Sequence, residues 1–201
     1  MKKPLAHKTD VKIFKFPKSV TGIQGLDEIT FGGLPKNRST LLLGNTGVGK
    51  TIMAMEFLVN GIVMFDEPAV FLAFEEKKDE LALNLKSMGY DLEDLTARNK
   101  IYIEQVRISQ DEIVETGMYD LEGLFVRLEQ AIYKVMAKRV VLDSLDKLFY
   151  GLDEKILRSE FLRLLNWLKE KEVTAIITSE IGDPFLTRKG IVGHEVRPPL
   201  A

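Results

Sequence analysis

Ser39-Thr40-Leu41-Leu42-Leu43-Gly44-Asn45-Thr46-Gly47-Val48-Gly49-Lys50-Thr51 is the stretch from which the fold is read. Its first five residues form a short apolar run ended by glycine, as expected of a buried strand. From Gly44 to Thr51 it satisfies G-x-x-x-x-G-K-[ST] at every position. Lys50 to Phe65 then carries a helical apolar pattern. A glycine-rich turn between strand and helix lets backbone N–H groups converge on one anion, and the helix N-terminus adds partial positive charge. The pattern predicts that Gly44, Asn45, Thr46, Gly47, Val48 and Gly49 cradle a triphosphate. Lys50 would reach its β- and γ-phosphates, and Thr51 would complete a Mg²⁺ shell.

Outward from this loop the pattern repeats. Ala69 to Phe74, Ile101 to Ile103 with Val106, Val140 to Leu142 and Val173 to Ile177 are further short apolar runs. Helical periodicity separates them at Glu80–Met88, at Leu121–Lys138 and around Leu157, Phe161, Leu164, Leu165 and Leu168. Leu121, Leu124, Phe125, Leu128, Ile132 and Val135 define one apolar face. Alternation of this kind predicts an α/β fold, a mostly parallel sheet with helices on both faces.

Ligands of such sheets sit beyond the C-terminal ends of the strands. There the chain places Glu75 and Glu76 after Phe74, Asp143 after Leu142, and Thr178-Ser179-Glu180 after Ile177. Asp143 is the expected second anchor of Mg²⁺, Glu75 and Glu76 the expected groups that orient and deprotonate an attacking water, and Ser179 a phosphate sensor. Strand alternation predicts that at most one of Glu75 and Glu76 addresses the γ-phosphate. Lys77-Lys78-Asp79-Glu80 reads as a solvated helix start.

Composition narrows the class. The 201 residues hold 28 Lys+Arg against 30 Asp+Glu, a formal charge of −2, with 45% hydrophobic and 29% charged residues. This is globular composition without the basic excess that a general nucleic-acid binder needs. No cysteine and two histidines, His7 and His194, exclude a disulfide framework, a thiol nucleophile and a Cys/His metal cluster. The longest uninterrupted apolar run among the strand candidates, Ala69–Phe74, is six residues, far short of a bilayer span, and the N-terminus lacks an apolar signal core. The expectation is a soluble, cytoplasmic protein of one domain over residues 1–201, without membrane contact.

Thr21-Gly22-Ile23-Gln24-Gly25-Leu26-Asp27, Gly32-Gly33-Leu34-Pro35 and the phosphate loop together resemble the opening of KaiC-type domains, in the RecA-like branch of the P-loop NTPases. The resemblance continues through Asn60-Gly61, Phe65-Asp66-Glu67-Pro68, Glu75-Glu76, Gly89-Tyr90-Asp91-Leu92, Arg139-Val140-Val141-Leu142-Asp143-Ser144 and Thr178-Ser179-Glu180, covering residues 21–191. It implies ATP with Mg²⁺, a hexameric ring with nucleotide between neighbouring subunits, and slow hydrolysis. It also implies that the paired glutamates activate water or a hydroxyl, that Ser87 helps hold the nucleotide, and that clock or signalling proteins are partners. The resemblance favours ATP, and the guanine-reading Asn-Lys-x-Asp motif of GTPases is absent, since Asn99-Lys100 runs into Ile101-Tyr102; the phosphate loop itself does not read the base.

Clock members of the family carry two such domains, the first chiefly an ATPase and the second also an autokinase. Ser109–Tyr119 lacks the adjacent Ser-Thr pair of the kinase type, which leans towards hydrolysis. After Thr187–Ile191 the resemblance ends, and the family's Lys-x-Arg-Gly segment, which reaches a neighbour's ATP, has no counterpart in Val192–Ala201. Two expectations follow: very slow hydrolysis, and an exposed hydrophobic edge at Ser39–Leu43. Two alternatives stay open, an ATP-binding scaffold that does not turn over and an autokinase. A RecA-like DNA motor is disfavoured by the acidic stretch Ser109–Glu115.

Overall fold

In the computed structural model the described residues are 16–76, 78–106, 121–144, 146 and 154–180. They form β1 (Lys18–Ser19), α1 (Leu26–Ile29), β2 (Leu34–Pro35), β3 (Ser39–Gly44), α2 (Lys50–Phe65), β4 (Ala69–Ala73), α3 (Lys78–Ser87), α4 (Leu92–Ala97), β5 (Ile101–Gln105), α5 (Leu121–Val135), β6 (Arg139–Asp143), α6 (Glu154–Glu170) and β7 (Thr174–Glu180). Ser109–Tyr119 and Thr187–Ala201, on which the kinase and trans-acting readings rest, lie outside the described residues.

Five strands pair in the order β3-β7-β6-β4-β5, every neighbour parallel. β7 therefore stands between the strand that feeds the phosphate loop and the strand that ends in Asp143. Register aligns Leu43 with Ser179 and Gly44 with Glu180, and Ala73 with Asp143. The α/β fold and its five strands agree with the sequence reading.

Alternating residues of each strand enter two cores. Val70, Leu72, Val140, Leu142, Ala175 and Ile177 pack with Leu124, Phe125, Leu128 and Ile132 of α5 and with Leu157, Phe161, Leu164 and Leu168 of α6. Ala69, Phe71, Val141 and Ile176 pack on the other face against Phe57, Leu58 and Ile62 of α2, with Leu81, Leu85, Leu92 and Leu95 of α3 and α4. Such strands read as continuous apolar runs because both faces are covered. Among the described residues β3 has a strand neighbour on one side alone, and Ser39–Leu43 are partly exposed, as expected of an edge.

Two features depart from the sequence pattern. A two-residue antiparallel pair joins β1 to β2, with Lys18 opposite Pro35 and Ser19 opposite Leu34. Arg139, at the start of β6, is 1% exposed. Its Nε donates to Glu67 Oε2 at 2.7 Å, Nη1 to the Phe57 carbonyl at 2.8 Å and Nη2 to the Val20 carbonyl at 2.8 Å. The guanidinium also lies over the Phe57 ring, 4.5 Å from its centroid. Burial lowers its pKa, while the bond and charge of Glu67 oppose the shift. One side chain thus fastens the N-terminal arm, α2 and the turn after it to the sheet.

Candidate active site

Gly44 closes β3, and a Cβ there would lie 2.5 Å from Val48 Cγ2, so a side chain at this position would have to displace the Val48 side chain of the loop. Gly49, at φ 90°, takes a left-handed conformation immediately before α2. Asn45, Thr46, Gly47 and Val48 are exposed along the loop. Lys50 folds back, its Nζ donating to the carbonyls of Gly44 at 2.9 Å and Asn45 at 3.0 Å. The loop's ammonium is held beside its own backbone.

Thr51, in the first turn of α2, donates its hydroxyl to Asp143 Oδ2 at 2.7 Å. The other oxygen of Asp143 accepts from the buried Thr178 hydroxyl. Three elements, α2, β6 and β7, are joined on one carboxylate, and the Asp143–Ser144 peptide is cis.

Pairing of β4 stops at Ala73, although Phe74 N–H still donates to the Asp143 carbonyl at 2.7 Å. Beyond it the chain bends, and strand alternation no longer applies. Glu75 and Glu76 both line the cleft. Ser144 donates to Glu75 Oε1 at 3.2 Å. Glu76 has a buried Oε2 without a hydrogen-bond partner among the described residues. Burial pushes the Glu76 carboxyl above its usual range. Charges on Asp143, Glu80 and Glu75 act the same way, against the Thr51 hydroxyl.

These side chains line a cleft of about 110 Å³ formed by Thr46, Gly47, Lys50, Thr51, Glu75, Glu76, Asp143, Ser144 and Glu180. A larger cavity of about 430 Å³ lies between α3 and α4, bordered by Ala82, Leu83, Lys86 and Tyr90, but has no glycine-loop amides or hydroxyl–carboxylate pair. Two residues singled out in the sequence stand apart. Ser87 ends α3 outside the cleft lining and donates to the Asn84 carbonyl at 2.6 Å. Ser179 is fully buried, its hydroxyl given to Asp146. Asp146 had no sequence signal, because its role depends on meeting a strand more than thirty residues away.

A family model described as "ATPase: KaiC" matches residues 19–198. The chain belongs to the KaiC ATPase family. It is 52% identical over 175 residues to the circadian clock protein KaiC2 of Synechocystis sp. (strain ATCC 27184 / PCC 6803 / Kazusa), an alignment spanning 87% of this chain and 31% of that protein. To the circadian clock oscillator protein KaiC of Parathermosynechococcus lividus it is 38% identical over 192 residues, 94% of the chain and 36% of the relative. To that of Prochlorococcus marinus (strain MIT 9313) it is 40% identical over 177 residues, 87% and 36%. The chain spans about a third of the length of the curated KaiC relatives it matches. Membership of the KaiC ATPase family implies nucleotide binding.

The cleft also fits a hard divalent cation. Among the described residues no three His, Asp or Glu side chains converge as a protein-only metal cage. Thr51 and Asp143 are instead one hydroxyl and one carboxylate in contact, a donor set that suits Mg²⁺ completed by water and phosphate oxygens. Among the described residues no helix is long and apolar enough to cross a membrane.

Proposed function

We propose that this chain binds ATP with Mg²⁺ and hydrolyses it to ADP and phosphate. The observation that carries the reading is the Thr51–Asp143 hydrogen bond of 2.7 Å beside a Glu76 oxygen that is buried and unpartnered among the described residues. Amides of Gly44–Gly49 and the Lys50 ammonium hold the phosphates once Lys50 releases the Gly44 and Asn45 carbonyls. Thr51 donates a hydrogen bond to Asp143 and keeps its lone pairs for the cation, and Asp143 is oriented by Thr178. When bound, Mg²⁺ neutralises charge that develops on the phosphate oxygens. Glu76 accepts the proton of the attacking water, a role suited to a carboxylate whose proton affinity is raised. Glu75, engaged by Ser144, supports it.

The ring and the biological role rest on family resemblance and on relatives named as circadian clock proteins. We propose a nucleotide-dependent ring acting in timing or signalling. Steady-state phosphate release tests the chemistry: Glu76→Gln should retain ATP binding and lose about a hundredfold in rate. Equal rates in the two proteins would overturn Glu76 as the base. ATP binding without release from the unaltered chain would favour the scaffold reading.

A further inference from the structure

Among the described residues, four carboxylates, Glu75, Glu76, Asp143 and Glu180, line the cleft with one ammonium, that of Lys50. Three of them come from the ends of β4 and β6, and Glu180 from the end of β7. Register delivers it opposite Gly44, where the phosphate loop begins, and its Oε1 accepts the hydroxyl of Thr46 within that loop. Its backbone is fixed as well. Asp146 takes the Ser179 hydroxyl on one oxygen and the Glu180 N–H, at 3.0 Å, on the other. A negative charge is therefore held on the phosphate side of the cleft, where a binding loop would ordinarily present donors.

We propose that Glu180 is a positioning and specificity residue that makes nucleotide uptake depend on the divalent cation, and that Asp146 holds it there. The proposal rests on the ATP-binding reading above. Coulomb repulsion scales with the product of the charges, about −4 for free ATP against about −2 for its Mg²⁺ complex. Glu180 consequently penalises the free nucleotide about twice as strongly, on a logarithmic scale, as the complex. The Thr46 hydroxyl that it occupies must also be released before it can donate to a phosphate.

ATP affinity measured by calorimetry on the full chain, in MgCl₂ and separately in EDTA, tests this. Glu180 is solvent-exposed, so its substitution leaves both cores intact. Glu180→Gln, which still offers Thr46 an acceptor, should tighten binding about tenfold in EDTA and about threefold in MgCl₂, lowering the ratio between the two conditions. Glu180→Asp keeps the charge and should keep the ratio of the unaltered chain. An unchanged ratio in Glu180→Gln, or an equal fall in Glu180→Asp, overturns the proposal. Failure of the unaltered chain to bind Mg²⁺–ATP would instead overturn the proposed function itself.

Discussion

Glu76 shows how one residue can carry opposed demands. Its carboxyl is drawn from water and faces Asp143, Glu80 and Glu75, so its pKa is raised in the folded chain. The folded state then holds the proton more tightly than the unfolded state. Stability from the protonated form is present below the usual carboxylate range and is lost as pH rises from there through the raised value. At neutral pH the ionised group is a net cost to the metal-free fold. Glu76→Gln should accordingly melt higher than the unaltered chain at pH 7 in EDTA, with the difference vanishing towards pH 4. A thermal melt series checks this, and a gap independent of pH would contradict it. The residue proposed to activate water is thus one whose removal should strengthen the resting protein.

At the scale of elements, α2 is constrained on both sides. Its N-terminus meets the phosphate loop, while Gly61 near its other end lies against Arg139, where a Cβ would fall 2.2 Å from Nε. In an exposed helix, Gly→Ala gains up to about 1 kcal/mol from propensity. Here the guanidinium is fixed by Glu67, Phe57 and Val20 and cannot move aside without breaking buried bonds. Gly61→Ala should therefore lose about 1–3 kcal/mol, read from the urea midpoint. A higher midpoint would show that Arg139 is not held as described. Local patterns made the larger elements legible: the apolar runs of β3 to β7, the periodic face of α5 and the spacing of the phosphate loop. What escaped was set by distant partners. Neither Lys18 nor Pro35 announces the β1–β2 pair, Arg139 is polar in sequence and buried only because Glu67 and two carbonyls receive it, and Asp146 acquires its role from β7.

For the whole molecule, the strand order decides which groups meet. With β7 between β3 and β6, the loop, Asp143 and Glu180 share one end of the sheet. Much of this arrangement was readable because strand C-termini are where loops must end, but the contact between Thr46 and Glu180 depends on register that no local pattern encodes. Assembly belongs to this scale. Light scattering after size exclusion should show a larger species with ATP and Mg²⁺ than without, and an unchanged mass would count against the ring.

The Arg139 node also limits how the chain can be trimmed. A version beginning at Thr21 would lose the Val20 carbonyl, one of the acceptors that hold the Arg139 guanidinium. One beginning at Phe16 would keep that acceptor together with the β1–β2 pair. The segment ahead of the phosphate loop is thus tied to an arginine more than a hundred positions downstream.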